Sequence, residues 1–281
     1  DKDVTFDESN IIVEGKKVPA FVRKELSGLP WKELDVDVVL ESTGRYTDVE
    51  KAQAHLDMGA KKVLLSAASK NGQAITLCYG INHREYDPAK HDIVSNASCT
   101  TNAMAGTMMV MDNVFGVEKG LMCTIHSYTN DQVILDKSHK DLRRARSASE
   151  NIIPTTTGAA KAVSLVLPQL KGKLNGYALR VPTPNVSVVD LSLVLQRDVT
   201  AEEVNAALKA AAEGELKGIL GYSEKPLVSR DYLGMEEAGA VDALSTMVVG
   251  DNMVKLVVWY DNEWGYTARL TDVAKYIGER L

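Results

Sequence analysis

The chain has 281 residues, of which 45% are hydrophobic and 25% charged, a balance that argues against a disordered or fibrous protein. Its formal net charge of −6 argues against binding to nucleic acid or to anionic membranes. Its three cysteines are too few for a disulfide framework, so we expect a reducing, cytoplasmic setting. The start of the chain is acidic and the longest uncharged segment is rich in hydroxyl and amide side chains. We therefore predict neither a secretory signal nor a membrane span.

The first part of the chain alternates between strand and helix patterns. Residues 36–40 form an apolar run that predicts a buried strand, and Asp48 begins an amphipathic helix that Gly59 ends. Further apolar runs at residues 62–66 and 91–95 predict two more strands. Strand, helix and strand at this spacing indicate a βαβ unit, and hence a parallel sheet.

The remainder of the chain alternates less strictly, which favours a mixed or antiparallel sheet. A capping box of Thr200 and Glu203 begins a helix that we expect to continue to about Leu220, and residues 267–281 predict a C-terminal helix. No Pro/Gly linker separates the two regions, so the strand pattern places the domain boundary near Cys99. Longer strands are predicted at residues 121–128, 177–181, 187–196 and 253–260.

Cys99 is the strongest candidate for a chemical role. It follows the strand predicted at residues 91–95 and begins an apolar helix that continues through Met109. The helix dipole at that position favours the thiolate by lowering the thiol pKa. A single cysteine is more often a buried core residue, but the polar neighbours Ser98 and Thr100 are not needed by a core residue. Hydroxyls and amides at a helix N-terminus also suit an anion.

His126 is the candidate base for this thiol. It ends an apolar predicted strand, where a histidine is usually a core residue, but pairing with histidine is the standard way to activate a cysteine. The other histidines, among them His55, lie among charges or at loops, and we expect them to be solvated. Cys78 and Cys123 lie in largely apolar stretches and are interpreted as packing residues.

Two basic features lie further along the chain. Residues 140–146 contain a basic cluster, which is more typical of a solvated or subunit-contact loop than of a binding site. Arg180 ends a predicted strand and precedes a rigid turn with two prolines, where a guanidinium suits bidentate binding of phosphate or carboxylate. A surface arginine without a ligand is an equally good interpretation of that segment alone.

Taken together, these segments resemble the phosphorylating glyceraldehyde-3-phosphate dehydrogenase family. The resemblance covers essentially the whole chain and is carried by six separated motifs in the family's order. The first, Ser-Asn-Ala-Ser-Cys-Thr-Thr-Asn at 95–102, is similar to the family's nucleophile motif. The others are the base segment at 126–129, the subunit-contact loop at 141–146, and the segments at 154–160, 180–185 and 259–263.

The resemblance implies an α/β fold with two domains. A partial doubly wound, Rossmann-type NAD-binding domain is expected at residues 1–98, and a C-terminal helix at 264–281 returns to it. An α+β catalytic domain with a mixed sheet is expected at residues 99–263. The family's opening strand, its Gly-x-Gly-x-x-Gly turn and its ribose-binding acid have no counterpart in the sequence. We therefore expect the chain to begin part-way into the first domain, as a truncated form or part of a longer chain, and to bind NAD poorly alone.

The family's activity is the phosphorylating oxidation of D-glyceraldehyde 3-phosphate to 1,3-bisphosphoglycerate with NAD, a step of glycolysis. The resemblance makes Cys99 the nucleophile that forms a thioester and His126 its base. Thr129 and Arg180 are the implied ligands of the substrate's own phosphate. The implied ligands of the attacking phosphate are Ser98, Thr100, Thr157 and Gly158, the implied cofactor contacts are Ser66 and Asn262, and no metal is implied.

Departures from the family pattern leave alternatives open. Ala103 replaces a second cysteine that most relatives carry, so Cys99 has no local disulfide partner. Lys137-Ser138 replaces a Leu-Pro pair that is common in NAD-specific members, so NADP is an alternative cofactor. Erythrose-4-phosphate dehydrogenase and a catalytically silent scaffold form are the alternative functions, whereas nothing marks the orienting residue of a Cys–His peptidase. The expected partners are the small-molecule substrate, inorganic phosphate and the other subunits of a homotetramer.

Overall fold

A computed structural model describes residues 2–70 and 73–281, and three β-sheets organise this part of the chain. The first sheet is an antiparallel meander of β1 (Val4–Phe6), β2 (Asn10–Val13) and β3 (Lys16–Pro19). The sequence analysis did not predict it. Its strands are short and mostly exposed, so they lack the buried apolar run by which a strand is recognised.

The second sheet is parallel, as predicted, and lies between two helices. Helix α1 (Val49–Asp57) packs on one face, and α5 (Trp264–Gly278) packs on the other, so the end of the chain returns to this sheet. Asp48 caps α1 by accepting a hydrogen bond from the Glu50 amide. The strands, in spatial order, are β4 (Val38–Glu41), β5 (Lys62–Leu65), β7 (Ile93–Ser95) and β6 (Ile75–Thr76).

The third sheet is mixed and carries most of the core, which confirms the fold class. The strands are β8 (Val117–Ser127), β9 (Ile153–Thr155), β10 (Leu174–Val181), β11 (Ser187–Leu195), β12 (Leu220–Ser223), β13 (Gly239–Asp242), β14 (Met247–Val249) and β15 (Met253–Tyr260). The strand order is β12-β13-β15-β11-β8-β10-β9, with β14 paired to β15. Strands β10 and β8 are parallel, whereas β11 is antiparallel to both β8 and β15.

Three helices cover one face of the mixed sheet: α2 (Cys99–Phe115), α3 (Ala159–Val166) and α4 (Ala201–Glu213). The central helix, α2, is buried along most of its length. It approaches β13 so closely that a side chain at Gly239 would overlap the Ala103 carbonyl. This close contact fixes the depth at which the first turn of α2 enters the molecule.

The opposite face of the mixed sheet is open. Its side chains alternate with the buried ones along each strand and include Leu121, Tyr177 and Met253, which are 65%, 51% and 45% exposed. Large apolar side chains on an open sheet face mark a surface that suits association with another protein surface. No helix within residues 2–70 and 73–281 has the length and apolar character that crossing a bilayer requires.

Two predicted helix ends are wrong. Helix α4 ends at Glu213 rather than near Leu220, because Gly214 terminates it and Leu220 already belongs to β12. Helix α5 begins at Trp264, as the family resemblance implies, rather than at residue 267, where the residue pattern alone starts it. The Asp261 carboxylate accepts hydrogen bonds from the Glu263 and Trp264 amides, both at 2.9 Å, and so caps the helix one turn earlier than the apolar pattern indicates.

Candidate active site

The turn from β7 into α2 presents Cys99 as the first residue of the helix. Ser98 is the N-cap, and its Oγ accepts a hydrogen bond of 3.1 Å from the Thr101 amide. Ala97 has a left-handed backbone with φ of 56°, which is uncommon for a residue with a side chain. The left-handed residue turns the chain sharply from the sheet into the helix, and the cap fixes the first turn around the thiol.

The structure brings Cys99 and His126 together from α2 and β8. The Cys99 Sγ lies 3.4 Å from His126 Nε2. The other ring nitrogen, Nδ1, lies 2.7 Å from the Ser127 carbonyl oxygen, and this short contact assigns its proton to Nδ1. Nε2 is then an acceptor that faces the thiol, which is the arrangement a general base requires.

Arg180 lies directly beside this pair. The parallel register of β8 and β10 places Arg180 opposite His126. Its Nη1 donates a 3.0 Å hydrogen bond to the Ser127 carbonyl and lies 2.8 Å from His126 Nδ1. Because Nδ1 carries the ring proton, it does not accept a hydrogen bond from Nη1; both N–H groups share the Ser127 carbonyl oxygen as acceptor. Within the described residues its buried Nε has no hydrogen-bond partner. The guanidinium is therefore held at the site with an N–H group left for an anion.

Burial and the Arg180 charge set the protonation of the pair. Burial, aided by the neighbouring Arg180 cation, lowers the pKa of His126 to about 4. Burial also raises the pKa of the Cys99 thiol, although the Arg180 charge and hydrogen bonding act in the opposite direction. The expectation that the helix dipole lowers the thiol pKa is thus wrong for this structure, because desolvation outweighs it. The resting pair is a thiol beside a neutral imidazole.

Tyr260 packs against the Cys99–His126 pair from inside the core. It is fully buried, and its hydroxyl lies 2.9 Å from Thr100 Oγ1 and 2.8 Å from Thr124 Oγ1. Its ring meets the His126 ring edge to face, with centroids 5.8 Å apart. One side chain thereby connects the first turn of α2 to β8, the two elements that carry the candidate nucleophile and the candidate base.

The remaining predicted phosphate ligands lie at the ends of neighbouring elements. Thr129 follows β8, and its hydroxyl and amide both donate to Gln132 Oε1. Thr157 and Gly158 immediately precede α3, and Thr157 Oγ1 accepts a 3.2 Å hydrogen bond from the Ala159 amide. Helix α3 packs against α2, the helix that begins at Cys99.

Comparison with known proteins identifies the family. The C-terminal domain model of glyceraldehyde 3-phosphate dehydrogenase matches residues 98–262, and the NAD binding domain model of the same enzyme matches residues 1–49. The chain belongs to the glyceraldehyde-3-phosphate dehydrogenase family. It is 59% identical to glyceraldehyde-3-phosphate dehydrogenase of Geobacillus stearothermophilus over 280 residues, 100% of this chain and 83% of that relative. It is 58% identical to glyceraldehyde-3-phosphate dehydrogenase 1 of Bacillus cereus, over 98% of this chain and 82% of that relative.

The parallel sheet of this dehydrogenase offers groups that fit a dinucleotide. The carboxyl ends of β4, β5 and β7 meet at one edge, where open α/β sheets bind ligands. Ser66 follows β5 at this edge, and Asn96 follows β7. Asn96 is fully buried, yet neither atom of its amide has a hydrogen-bond partner among the described residues. Since buried amides are normally bonded, the edge fits a ligand with polar groups of its own.

Three residues at this site have no role predicted from the sequence. Tyr260 lies within the quoted segment 259–263, but a buried tyrosine in an apolar strand gives no separate signal. Ser127 and Ser187 are both buried and bonded to each other, the Ser127 amide donating to Ser187 Oγ at 3.0 Å. Serines in strands are common, so only their position in the folded chain distinguishes them.

The interpretation of His55 needs correction. His55 is buried rather than solvated: its Nε2 lies 2.9 Å from a Glu41 carboxylate oxygen, and its Nδ1 accepts a hydrogen bond from Trp31 Nε1. The basic cluster is not contradicted as a solvated or subunit-contact loop: Arg144 bonds to Asp131 and Thr155, while Leu142 is 83% exposed. No group of three or more potential metal ligands occurs among the residues that the structure describes.

Proposed function

We propose that this chain catalyses the phosphorylating oxidation of D-glyceraldehyde 3-phosphate with NAD, using Cys99 as the nucleophile and His126 as the base. The observation that carries the proposal is the 3.4 Å contact between Cys99 Sγ and His126 Nε2, with Arg180 at the same ring. The names of its relatives support this reaction over erythrose-4-phosphate oxidation. Acceptance of NADP stays a prediction.

The neutral His126 determines how the reaction begins. Nε2 accepts the thiol proton as the Cys99 sulfur attacks the aldehyde carbon, and the imidazolium returns that proton to the aldehyde oxygen to give a hemithioacetal. His126 then removes the hydroxyl proton when the carbon–hydrogen bond breaks, leaving a thioester on Cys99. Bound NAD supplies the hydride acceptor for that step. Inorganic phosphate attacks the thioester carbonyl, the carbon–sulfur bond breaks, and the sulfur recovers its proton.

The anions and the cofactor are assigned to groups at the ends of the elements. Arg180 and Thr129 bind the substrate's phosphate, for which the unpartnered Arg180 Nε is the supporting observation. The attacking phosphate is assigned to the hydroxyls and amides at the starts of α2 and α3, Ser98, Thr100, Thr157 and Gly158. Ser66 and Asn262 are assigned to the cofactor NAD, Asn262 through the nicotinamide amide.

Trapping the acyl enzyme tests this assignment. The enzyme is incubated with NAD and D-glyceraldehyde 3-phosphate without inorganic phosphate, so the thioester accumulates, and peptide mass spectrometry locates the adduct. We expect it on Cys99, with none in the Cys99→Ser variant. Turnover with phosphate is compared for this aldehyde and erythrose 4-phosphate. Faster use of erythrose 4-phosphate supports the rival dehydrogenase, and absence of any adduct supports a silent scaffold.

The proposal extends to the organisation of the protein. Residues 1–98 with the helix at 264–281 form the cofactor domain, residues 99–263 form the catalytic domain, and the subunits associate as a homotetramer in the cytoplasm. The open face of the mixed sheet, with Leu121 65% exposed, supports association between subunits. Leu121→Arg is expected to shift the sedimentation velocity toward smaller species. An unchanged distribution excludes this face as an interface.

A further inference from the structure

A small buried polar cluster joins three chain segments at the site. The Ser127 amide donates to Ser187 Oγ at 3.0 Å, and Ser127 Oγ donates to the Val186 carbonyl at 2.8 Å. Ser187 Oγ in turn lies 2.7 Å from Asn262 Oδ1. Ser127 directly follows the base His126, so the cluster connects the end of β8 with the start of β11 and the residue assigned to the cofactor.

The cluster determines how the Asn262 amide is oriented. A serine hydroxyl has one proton and two acceptor positions. Because Ser187 Oγ already accepts the Ser127 N–H, its own proton is free to be donated, and Asn262 Oδ1 is the acceptor. If the amide were reversed, Ser187 would accept two N–H groups and its buried proton would have no partner. The Asn262 oxygen therefore faces Ser187, and its NH2 group is directed away from the cluster.

We infer that Ser187 is a positioning residue that presents the NH2 group of Asn262 to the carboxamide oxygen of the nicotinamide. The inference rests on the proposed assignment of Asn262 to the cofactor. An amide NH2 is a donor that matches a carbonyl oxygen, and within the described residues it has no hydrogen-bond acceptor of its own. Without the Ser187 hydroxyl, the amide loses the contact that selects this orientation.

The backbone around Ser187 is held in an unusual conformation. Val186 has a left-handed φ of 70°, a genuine outlier for a β-branched residue. Its amide donates to Asn185 Oδ1 at 2.7 Å, and its buried side chain packs with Tyr232. Asn185 Nδ2 also donates to Asp261 Oδ1 at 3.0 Å. Asn185 and Ser187, on either side of Val186, thus bond to the consecutive residues Asp261 and Asn262 after β15, which fixes Ser187 against Asn262.

A double-mutant cycle on NAD affinity tests the inference. NAD binding to Ser187→Ala, Asn262→Ala, the double variant and the wild-type enzyme is measured by calorimetry. We expect Ser187→Ala to raise the dissociation constant about three- to tenfold, the effect of one lost hydrogen bond. In the Asn262→Ala background the same change is expected to have no further effect. Ser187→Thr keeps the hydroxyl and is expected to restore much of the affinity.

A second measurement separates positioning from general damage. The alkylation rate of Cys99 by iodoacetamide is expected to stay within twofold in Ser187→Ala. Ser164→Ala, on the surface of α3, is the matched control. If Asn262→Ala leaves NAD affinity unchanged, the proposed cofactor contact fails and this inference fails with it. If Asn262→Ala weakens binding but Ser187→Ala does not, or the two effects add, or Cys99 alkylation changes several-fold, the positioning role alone is wrong.

Discussion

The surroundings of His126 and the edge of the parallel sheet differ in how completely their polar groups are bonded. On the catalytic side, His126 has a partner at each ring nitrogen, and the Tyr260 hydroxyl has two. On the cofactor side, the amide of Asn96 is buried and has no partner among the described residues. The catalytic groups are therefore organised without a ligand, whereas the edge of the parallel sheet retains unsatisfied polar groups that a ligand would complete.

This difference explains why the helix dipole does not dominate at Cys99. The buried Cys99–His126 pair is desolvated, and desolvation favours the neutral forms of both the thiol and the imidazole. Arg180 adds a positive charge that lowers the pKa of His126 further and partly offsets the effect of burial on Cys99. In the proposed mechanism, Cys99 is therefore activated by transfer of its proton to His126 during attack.

Removing the nucleophile tests the catalytic side most severely. Cys99→Ser is expected to reduce dehydrogenase turnover by more than about 10⁴-fold, since a serine hydroxyl is a far weaker nucleophile beside the same base. Cys78→Ser and Cys123→Ser are the matched controls and should keep most of the activity. Burial raises the pKa of the Cys78 thiol to about 12, so iodoacetamide at neutral pH should label Cys99 in preference to Cys78. Preferential labelling of either control cysteine contradicts the assignment.

Removing the base is the next largest perturbation. His126→Asn is expected to slow the chemical step by about 10²–10⁴-fold, the range that general-base catalysis supplies. The pH dependence of Cys99 alkylation should also change, because the thiol loses the imidazole nitrogen that faces it. NAD affinity should change little if the two sides are organised independently. Unchanged turnover together with an unchanged thiol titration would remove His126 from the mechanism.

The pH dependence of stability probes the same histidine in the folded protein. The pKa of His126 falls from 6.5 to about 4 on folding, so the unfolded chain binds more protons between these values. The free energy of unfolding should therefore fall as the pH decreases from about 6.5 to 4, by up to about 3 kcal/mol from this group. Urea denaturation of the wild type and of His126→Asn across this pH range measures the contribution of His126 to the free energy of unfolding. If the difference in that free energy between the two proteins does not vary with pH, the conclusion that His126 is buried and neutral is wrong.

The sequence was a better guide to the residues of the candidate catalytic site than to their pKa shifts. The helix-terminal cysteine and the strand-terminal histidine were identified because each residue type is informative at its place in the pattern. The sign of the thiol pKa shift was not predicted, because desolvation depends on how tightly α2, β8 and β15 pack around the sulfur. Ser187 was not predicted either, since its role depends on the left-handed turn at Val186, which no local pattern of residues indicates.

The fold was predicted wherever apolar runs are long and buried. Strands of both large sheets were found from such runs, whereas the exposed meander at residues 4–19 was missed. The predicted start of α5 was wrong because of a tertiary contact, and the predicted end of α4 was wrong because of a local signal. The Asp261 carboxylate caps α5 because the end of β15 places it there, whereas Gly214 was a visible stop signal for α4 that the capping-box pattern outweighed.

The smallest expected effect concerns the Tyr260 hydroxyl, which bonds to Thr100 and Thr124 beside the Cys99–His126 pair. Tyr260→Phe keeps the ring that packs against His126 but leaves the hydroxyls of Thr100 and Thr124 without their shared partner. We expect a loss of about 1–3 kcal/mol in the free energy of unfolding, because both hydroxyls stay buried. Tyr222→Phe, on β12 of the same sheet, is the matched control and should change stability by less than about 0.5 kcal/mol. Turnover should fall by less than tenfold, because the ring still holds the imidazole. A stability loss equal to that of the control would mean that the catalytic side does not depend on its hydroxyl network, and that its rigidity comes from packing alone.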